Sequence, residues 1–320
     1  MVPRTPQDGP DRAAPAHRGT FEGRDGAELA YARFDVGSGR SRVLVFLHGI
    51  GSHGAMYYHM ASALGQAVDS VYFPDLRGHG VTRGPRGDLV SPLHVLGDIG
   101  AVVSAVRAEH PTDEIVLGGE SMGGLFALAY GARRPNTIDA LVLAAPALML
   151  NTRRLHSPDA LRRGWDGLFG DQVGPPGIPV TGALEGDDER CPGFADMCLR
   201  DPLALQSVSL KYLLIVGAIL WNWEARYPRR LVRAIARGRG SGAHLAAVST
   251  GLPVLIVQGG ADAVMDPRGA RRLHRLLPQA EFVEFPEAWH NLFWDPRSAD
   301  VLTCMSDWMA GGGRRQREGP

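Results

Sequence analysis

Several features that mark particular classes of protein are scarce in this chain of 320 residues. Lysine occurs once, at position 211, and 34 basic residues are balanced by 34 acidic ones, so the formal net charge is zero. A protein that binds nucleic acid through its phosphates needs an excess of positive charge on the binding surface. The composition gives no indication of a nucleic-acid partner, and we expect none.

Cysteine and long apolar runs are also scarce. The three cysteines, at 191, 198 and 304, form neither a disulfide framework nor a metal site by their spacing. The N-terminal stretch MVPRTPQDGPDRAAPAHRG lacks the apolar core of a secretory signal, and the longest apolar run, 210–223, is too short to span a bilayer. The sequence therefore predicts a soluble, cytoplasmic protein.

What the sequence does contain is an alternation of apolar runs with helix-like segments. After a hairpin pattern at 20–34, strand-like runs cover 42–47, 70–73, 114–117, 138–144, 253–258 and 281–285. Continuous apolar runs are typical of strands buried on both faces of a parallel sheet. Helix-like segments lie at 57–64, 92–110, 122–134, 267–277 and 296–309. The pattern predicts an α/β fold with a mostly parallel central sheet flanked by helices.

The alternation stops between residues 150 and 247. This interval holds stretches rich in proline and glycine and helix-like runs such as 201–222, but no clear strand. Because a compact sheet seldom carries so long a loop, we interpret the interval as an inserted, mainly helical cap. The predicted organisation is a disordered tail at 1–19, a core in two parts at 20–149 and 248–310 with the cap at 150–247 between them, and a second disordered tail at 311–320.

One serine lies among glycines at the junction of a predicted strand and a predicted helix. In the segment LGGESMGG, Gly119 and Gly123 lie two residues before and after Ser121. A strand-to-helix turn this tight has no room for side chains at those two positions, so the glycines leave Ser121 exposed at the carboxyl edge of the sheet. This is the setting that a nucleophile elbow requires.

A nucleophilic serine needs a histidine base and a carboxylate that orients the base. Asp262 and His290 each follow a later predicted strand, in the chain order expected for such a sheet. Asp266 is a rival acid, but it precedes Pro267 and is better placed to cap a helix. We interpret Glu120 as structural, because its side chain should point away from the neighbouring hydroxyl.

Two backbone amides are candidates for an oxyanion hole. Met122 follows the serine, and Ile50 lies in the loop after an earlier strand, where the second donor is expected. His48 and His53 in that loop have no partners at zinc-ligand spacing, so we interpret them as residues that brace the loop. Dinucleotide-binding and P-loop motifs are absent from the sequence, and we predict neither a metal nor a cofactor.

Five segments, taken in order, resemble the α/β-hydrolase superfamily: LHGIGSHGAMY, FPDLRGHGVT, LGGESMGG, LIVQGGAD and AWHNLF. They are most similar to its branch of monoglyceride lipases, lysophospholipases and serine aminopeptidase-like proteins, and the resemblance spans roughly residues 21–310. The resemblance implies an α/β-hydrolase fold with a cap. It also implies a triad of Ser121, Asp262 and His290 with Ile50 and Met122 at the oxyanion hole, the same residues that the motif context selects.

We therefore expect a serine hydrolase that cleaves a small-molecule carboxylic ester, such as an acylglycerol, a lysophospholipid or a similar hydrophobic acyl ester, through an acyl-enzyme. Two alternatives use the same triad. One is an amidase or aminopeptidase-type hydrolase, and the other is a tailoring enzyme that eliminates or transfers an acyl group or hydrolyses a thioester. A binding module without activity is disfavoured, because all three triad members are present. The acyl chain, the leaving group, the substrate-binding residues and the oligomeric state stay open.

Two segments of the cap carry further hypotheses. The apolar run at 210–220 is interpreted as packing onto the core, as an acyl-chain groove or as a site of transient contact with a membrane surface. The arginine-rich segment at 226–239 is interpreted as a solvated helix face or as an attractor for an anionic headgroup or a carrier thioester.

Overall fold

A computed structural model of the chain describes residues 14–151, 178–179, 194–220, 251–277 and 279–312. Within these residues the strands of the main sheet are β1 (His17–Glu22), β2 (Glu28–Asp35), β3 (Arg42–Leu47), β4 (Ser70–Pro74), β5 (Glu114–Glu120), β6 (Ala140–Ala144), β9 (Val254–Gly259) and β10 (Ala280–Phe285). Two short strands, β7 (Ile178–Pro179) and β8 (Ser207–Val208), pair antiparallel in a separate ribbon.

The helices follow the strands in the expected alternation. They are α1 (Met60–Ala63), α2 (Pro92–Glu109), α3 (Met122–Arg133), α4 (Phe194–Arg200), α5 (Leu210–Leu220), α6 (Pro267–Leu276) and α7 (Ser298–Ala310). Short 3₁₀ turns lie at Gly54–Tyr57 and Pro135–Thr137. The helix expected at 57–64 is therefore a 3₁₀ turn followed by the single turn of α1.

The strand order is β1-β2-β4-β3-β5-β6-β9-β10. β2 runs antiparallel to both β1 and β4. The other strands of the main sheet, β4, β3, β5, β6, β9 and β10, are parallel to one another. The carboxyl ends of β3, β5, β9 and β10 therefore meet at one edge of the sheet, where an open α/β sheet binds its ligands. The predicted α/β-hydrolase fold is confirmed.

The sheet is covered on both faces, as its uninterrupted apolar strands predict. All six residues of β3 are buried. Val43 and Val45 lie in a core shared with α2, α3, α5 and α6, whereas Leu44 and Phe46 lie in a second core with α1 and α7. Because successive side chains of a strand point to opposite faces, one run of valine, leucine and phenylalanine supplies both cores.

The helix expected at 201–222 is shorter than predicted, and the cap contains short strands where none was expected. Residues 201–209 form turns and β8, and α5 begins only at Leu210. Pro202 disfavours a helical conformation at Asp201, whose carboxylate accepts a hydrogen bond from the Leu203 N–H at 2.8 Å. The Leu205 N–H then donates to the Gly51 carbonyl at 2.8 Å, which ties this segment to the core instead of to a helix.

The described residues cover the predicted tails and the predicted cap only in part. β1 begins at His17, so it takes in the last three residues of the predicted N-terminal tail. Of the predicted cap at 150–247, residue 151 belongs to the described part of the chain, together with 178–179 and 194–220. The arginine-rich segment at 226–239 lies outside the described residues, and so does most of the predicted C-terminal tail.

Candidate active site

The turn between β5 and α3 holds Ser121 in a conformation that is rare for an L-residue. Its φ is +53° and its ψ is −115°. Three backbone hydrogen bonds hold the turn: the Ser121 N–H donates to the Ala144 carbonyl at 2.9 Å, and the Ser121 carbonyl accepts from the N–H groups of Leu125 at 3.0 Å and Ala147 at 2.9 Å. Strain of this kind persists only where the surroundings over-determine the backbone, and it is typical of functional sites.

The glycines on either side of the serine are required by the close approach of neighbouring backbone. A Cβ on Gly119 would lie 2.6 Å from the carbonyl oxygen of Gly123. A Cβ on Gly123 would lie 2.6 Å from the carbonyl carbon of Leu47 and 2.7 Å from the carbonyl oxygen of His48. Backbone atoms cannot move aside as a flexible side chain does, so the sequence inference about these two glycines agrees with the structure.

The structure brings Ser121, His290 and Asp262 together from three strand ends. The Ser121 Oγ lies 2.9 Å from His290 Nε2, and His290 Nδ1 lies 2.8 Å from Asp262 Oδ2. All three residues are buried, and they come from positions 141 and 28 residues apart along the chain. A base within hydrogen-bond reach of a hydroxyl, oriented by a carboxylate on its other nitrogen, can remove the hydroxyl proton.

Asp262 is held by more hydrogen bonds than its contact with the histidine. Its Oδ1 accepts from the N–H groups of Val264 at 2.9 Å and Met265 at 2.7 Å, and its Oδ2 also accepts from Gln258 Nε2 at 3.0 Å. The rival Asp266 instead caps α6 by accepting from the Arg268 N–H at 3.0 Å. The structure thus places Asp262 against His290 and Asp266 at the start of α6.

The start of α3 and the loop after β3 both lie beside the serine. Met122 is the first residue of α3, so its N–H is one of the four amides that have no acceptor within the helix. Ile50 follows Gly49, at which a Cβ would lie 3.6 Å from the Ser121 Cβ. The loop after β3 therefore lies directly against the elbow, where two backbone donors can face a developing oxyanion.

The histidines of this loop brace it, as expected. The Leu76 N–H donates to His48 Nε2 at 3.0 Å, so the ring proton is on Nδ1, which donates to the Gly49 carbonyl at 2.8 Å. Burial lowers the pKa of His48 well below its ordinary value, in agreement with a neutral ring. His53 Nε2 lies 3.0 Å from Asp201 Oδ2, in a buried contact between the loop and the cap.

Glu120 has the structural role that the sequence suggested, but its partners were not foreseen. Its Oε2 accepts from the Tyr57 hydroxyl at 2.7 Å, and its Oε1 accepts from the Leu292 N–H at 3.1 Å. Burial raises the pKa of the Glu120 carboxyl to about 7. No local sequence signal links these three positions, because they meet only in the folded chain.

The cap adds a second contact that sequence reasoning missed. The Tyr212 hydroxyl, on α5, lies 2.8 Å from Met122 Sδ and 3.0 Å from His79 Nε2. Tyr212 is fully buried and faces the sheet domain together with Ile215 and Ile219. The spacing of these three residues along the helix is the only signal that would have predicted which face of α5 is inward.

An apolar cavity lies near the candidate site but does not include it. Its lining comes from the sheet, from α2 and α3 and from the loop after β4, and it contains Leu47, His79 and Phe126. None of the three candidate triad side chains lines it. We therefore assign no substrate to this cavity.

The described part of the chain contains neither a metal-binding cluster nor a membrane-spanning helix. No cluster of three or more His, Cys, Asp and Glu side chains there has the arrangement of a metal site. Among the described helices, none is both long and apolar enough to cross a bilayer.

Comparison with known proteins gives consistent matches. A family model described as Serine aminopeptidase, S33 matches residues 39–297, a range that includes all five candidate site residues. The monoacylglycerol lipase of Mycolicibacterium smegmatis is 29% identical over 292 residues, which are 91% of this chain and 95% of that protein. The monoglyceride lipase of Rattus norvegicus is 26% identical over 280 residues, 87% of this chain and 82% of that protein.

Solved structures share the fold. A soluble variant of the monoglyceride lipase from Saccharomyces cerevisiae, in complex with a substrate analogue, matches with a TM-score of 0.73 at 20% identity. The match covers 94% of this chain and 96% of that one. At this identity the likeness supports the fold alone.

Proposed function

The chain belongs to the serine aminopeptidase, S33, family and is a serine ester hydrolase, and from this premise we propose that Ser121 is its nucleophile. In this proposal His290 is the general base and Asp262 the carboxylate that orients it. The observation that carries the proposal is the unbroken path of two buried hydrogen bonds, 2.9 Å and 2.8 Å long, that joins the three side chains. We propose that no cofactor takes part.

The proposed reaction has two halves. His290 Nε2 accepts the Ser121 proton while Oγ attacks the ester carbonyl carbon, and the resulting oxyanion accepts hydrogen bonds from the N–H groups of Ile50 and Met122. His290 then gives its proton to the departing alcohol, which leaves an acyl group on Ser121. Water repeats the attack with His290 again as base, and the carboxylic acid departs with Oγ reprotonated.

We propose a monoacylglycerol or a similar hydrophobic acyl ester as the substrate. Two relatives that align with most of this chain are named as lipases of monoacylglycerols. The described part of the cap places an apolar helix, α5, beside α3 and the elbow. Amide cleavage is the second candidate, because the family description names an aminopeptidase.

We also propose that the outer face of α5 contacts a lipid surface. Tyr212, Ile215 and Ile219 point inward, whereas Leu210 and Leu214 on the opposite face are 53% and 47% exposed. A helix that is apolar on both faces buries more than one surface. A substrate with an acyl chain would reach the site from such a surface.

Labelling with a fluorophosphonate and turnover of p-nitrophenyl esters of graded chain length test the proposal together. We expect Ser121→Ala to abolish labelling and to lower kcat about a million-fold. Ser306→Ala is the control and changes another buried serine, which lies on α7. It should leave both the labelling and kcat unchanged. Normal turnover by Ser121→Ala would contradict the nucleophile, and faster cleavage of matched p-nitroanilides than of esters would favour the amidase.

A further inference from the structure

The buried carboxylate of Glu120 joins three separate parts of the candidate site. Glu120 ends β5 and immediately precedes Ser121. Its Oε1 accepts from the N–H of Leu292, two residues after His290, at 3.1 Å. Its Oε2 accepts from the hydroxyl of Tyr57 at 2.7 Å. The Glu120 side chain thus contacts the loop that carries His290, while the Glu120 backbone leads directly into Ser121.

Tyr57 extends the connection to the loop after β3. The Gly49 N–H donates to the Tyr57 hydroxyl oxygen at 3.2 Å. Gly49 immediately precedes Ile50, one of the two proposed oxyanion donors. The path from Gly49 through Tyr57 and Glu120 to Leu292 therefore contacts the loop of each group that must meet at the reacting carbonyl.

Because this path is buried, water cannot supply its polar groups with alternative hydrogen-bond partners. Tyr57 and Glu120 are 1% and 2% exposed. The tyrosine ring is enclosed by other aromatic rings, with centroids of Phe46 at 5.4 Å, Trp294 at 5.1 Å and Phe293 at 6.0 Å. A buried polar group that loses its partner cannot replace it with solvent, so each hydrogen bond of the path constrains the loops it joins.

We infer that Glu120 and Tyr57 form a positioning bridge. The bridge holds the loop after β3, which carries Ile50, and the loop that carries His290 in their positions around Ser121. The inference rests on the proposed function of those loops. Neither residue touches the reacting atoms, so both act through the groups that they orient. Displacement of a catalytic group by about 1 Å can cost about 100-fold in rate.

A bridge of this kind acts on the transition state more than on substrate binding. The oxyanion and the proton on His290 exist only during the reaction, whereas the acyl chain is bound before it. Weakening the bridge should therefore lower kcat and leave KM almost unchanged. A purely structural role would lower the stability of the fold without this separation.

The test uses Glu120→Gln, Tyr57→Phe and the double variant, assayed on a p-nitrophenyl ester. Each single variant should lose about 10- to 100-fold in kcat, with KM changed by less than about twofold. Tyr72→Phe is the matched control, because it also removes a tyrosine hydroxyl hydrogen-bonded to a glutamate, Glu109, which lies at the far end of α2 from the site. We expect wild-type kcat for the control.

The double variant shows whether the two residues act as one unit. A bridge broken at either point is already lost, so the double variant should be about as slow as the slower single variant. Losses that multiply, or wild-type kcat in both single variants, would overturn the inference. If Glu120→Gln does not fold, as judged by thermal unfolding, Tyr57→Phe decides the question alone.

Labelling separates this inference from the proposed function. If Ser121→Ala still turns over the ester, the nucleophile assignment fails, whatever the bridge variants do. If Ser121→Ala is inactive but Glu120→Gln and Tyr57→Phe react with fluorophosphonate at the wild-type rate, the triad stands and the bridge is refuted.

Discussion

Ser121 holds a backbone conformation that costs free energy, and its neighbours must offset that cost. Its φ of +53° is unfavourable for a residue with a Cβ, by about 1–3 kcal/mol. The hydrogen bonds to Ala144, Leu125 and Ala147 hold the turn, but they form only if the backbone of Gly123 lies against Leu47. The geometry of Ser121 therefore depends on the absence of a side chain at Gly123, two residues away.

Replacing Gly123 with alanine should disrupt the elbow. The new Cβ would overlap the backbone of Leu47 and His48, so we expect a loss of more than about 2 kcal/mol in the free energy of unfolding and loss of fluorophosphonate labelling. Gly217→Ala is the control, because a Cβ there meets nothing within 4 Å inside α5. The free energy of unfolding of the control, measured with urea, should rise by roughly 0.5–1 kcal/mol. Equal stability of the two variants would contradict this account.

Glu120 should make the stability of the protein depend on pH. The carboxyl ionises near its ordinary 4.5 in the unfolded chain, but burial raises its pKa to about 7 in the folded state, where it faces Tyr57, Cys198, Asp262 and His290. Between these pH values the folded chain binds more protons than the unfolded chain, so this carboxyl contributes a loss of stability as pH rises from 4.5 through 7.

Glu120→Gln removes that titration. As the pH rises from 5 to 8, the free energy of unfolding of the variant should increase by roughly 2–3 kcal/mol relative to that of wild type. The reason is that the variant has no carboxyl whose pKa is raised by folding. Urea unfolding at the two pH values measures the difference, and the other titrating groups cancel in the comparison. A difference between variant and wild type that is the same at both pH values would contradict the raised pKa.

Asp262 and Asp266, four residues apart, have different hydrogen-bond partners because they belong to different elements. Asp262 follows the end of β9 and is turned toward His290, whereas Asp266 is the residue before α6 and accepts from the Arg268 N–H. Spacing from the strand and the following proline were enough to separate these roles from the sequence. The hydrogen bonds from Gln258, Val264 and Met265 to Asp262 were not foreseeable.

Variants of the two acids should therefore differ in which property they lose. Asp262→Asn should lower kcat about 10⁴-fold, because the amide no longer selects the His290 tautomer that accepts the serine proton. Asp266→Ala should keep kcat and lose about 1 kcal/mol of stability with the helix cap. Ester turnover and urea unfolding of both variants measure these effects. A loss of kcat confined to Asp266→Ala would reverse the assignment.

The molecule as a whole combines a sheet domain with a cap that is tied to it beside the elbow. His53 and Asp201 join the loop after β3 to the cap through a buried contact, and the Tyr212 hydroxyl reaches Met122. The outer face of α5 remains apolar and exposed, with Leu210 and Leu214 on it. One face of α5 thus packs on the core, and the opposite face is the one for which we propose a lipid contact.

Changing both leucines to serine should weaken binding to lipid vesicles. We expect the vesicle affinity of Leu210→Ser/Leu214→Ser to fall by about tenfold or more, because at least ~1.4 kcal/mol of apolar burial is lost. Leu93→Ser, at an exposed leucine on α2, is the control and should bind as wild type does. Co-sedimentation with zwitterionic vesicles measures both. Unchanged binding of the double variant would refute the lipid contact.

The sequence by itself determined the fold class and the order of the candidate triad along the chain. These features depend on local patterns: apolar runs without alternation, a serine between obligatory glycines, and an acid and a histidine just after later strands. The same reasoning failed at 201–209, where a turn and a tie to Gly51 interrupt the expected helix. The helix does not form there because the turn at Asp201–Pro202 and the hydrogen bond from Leu205 to the distant Gly51 together take the place of helical hydrogen bonds.

Only the tertiary structure decided which side chains complete the site. Glu120 and Tyr57 are 63 positions apart in the chain, and Leu292 lies 172 positions beyond Glu120, yet their polar atoms meet within 3.1 Å. Nothing in the local composition of these segments requires that contact. A buried carboxylate has to find donors wherever the packed backbone offers them, and the positions of those donors are set by the packing of the whole sheet.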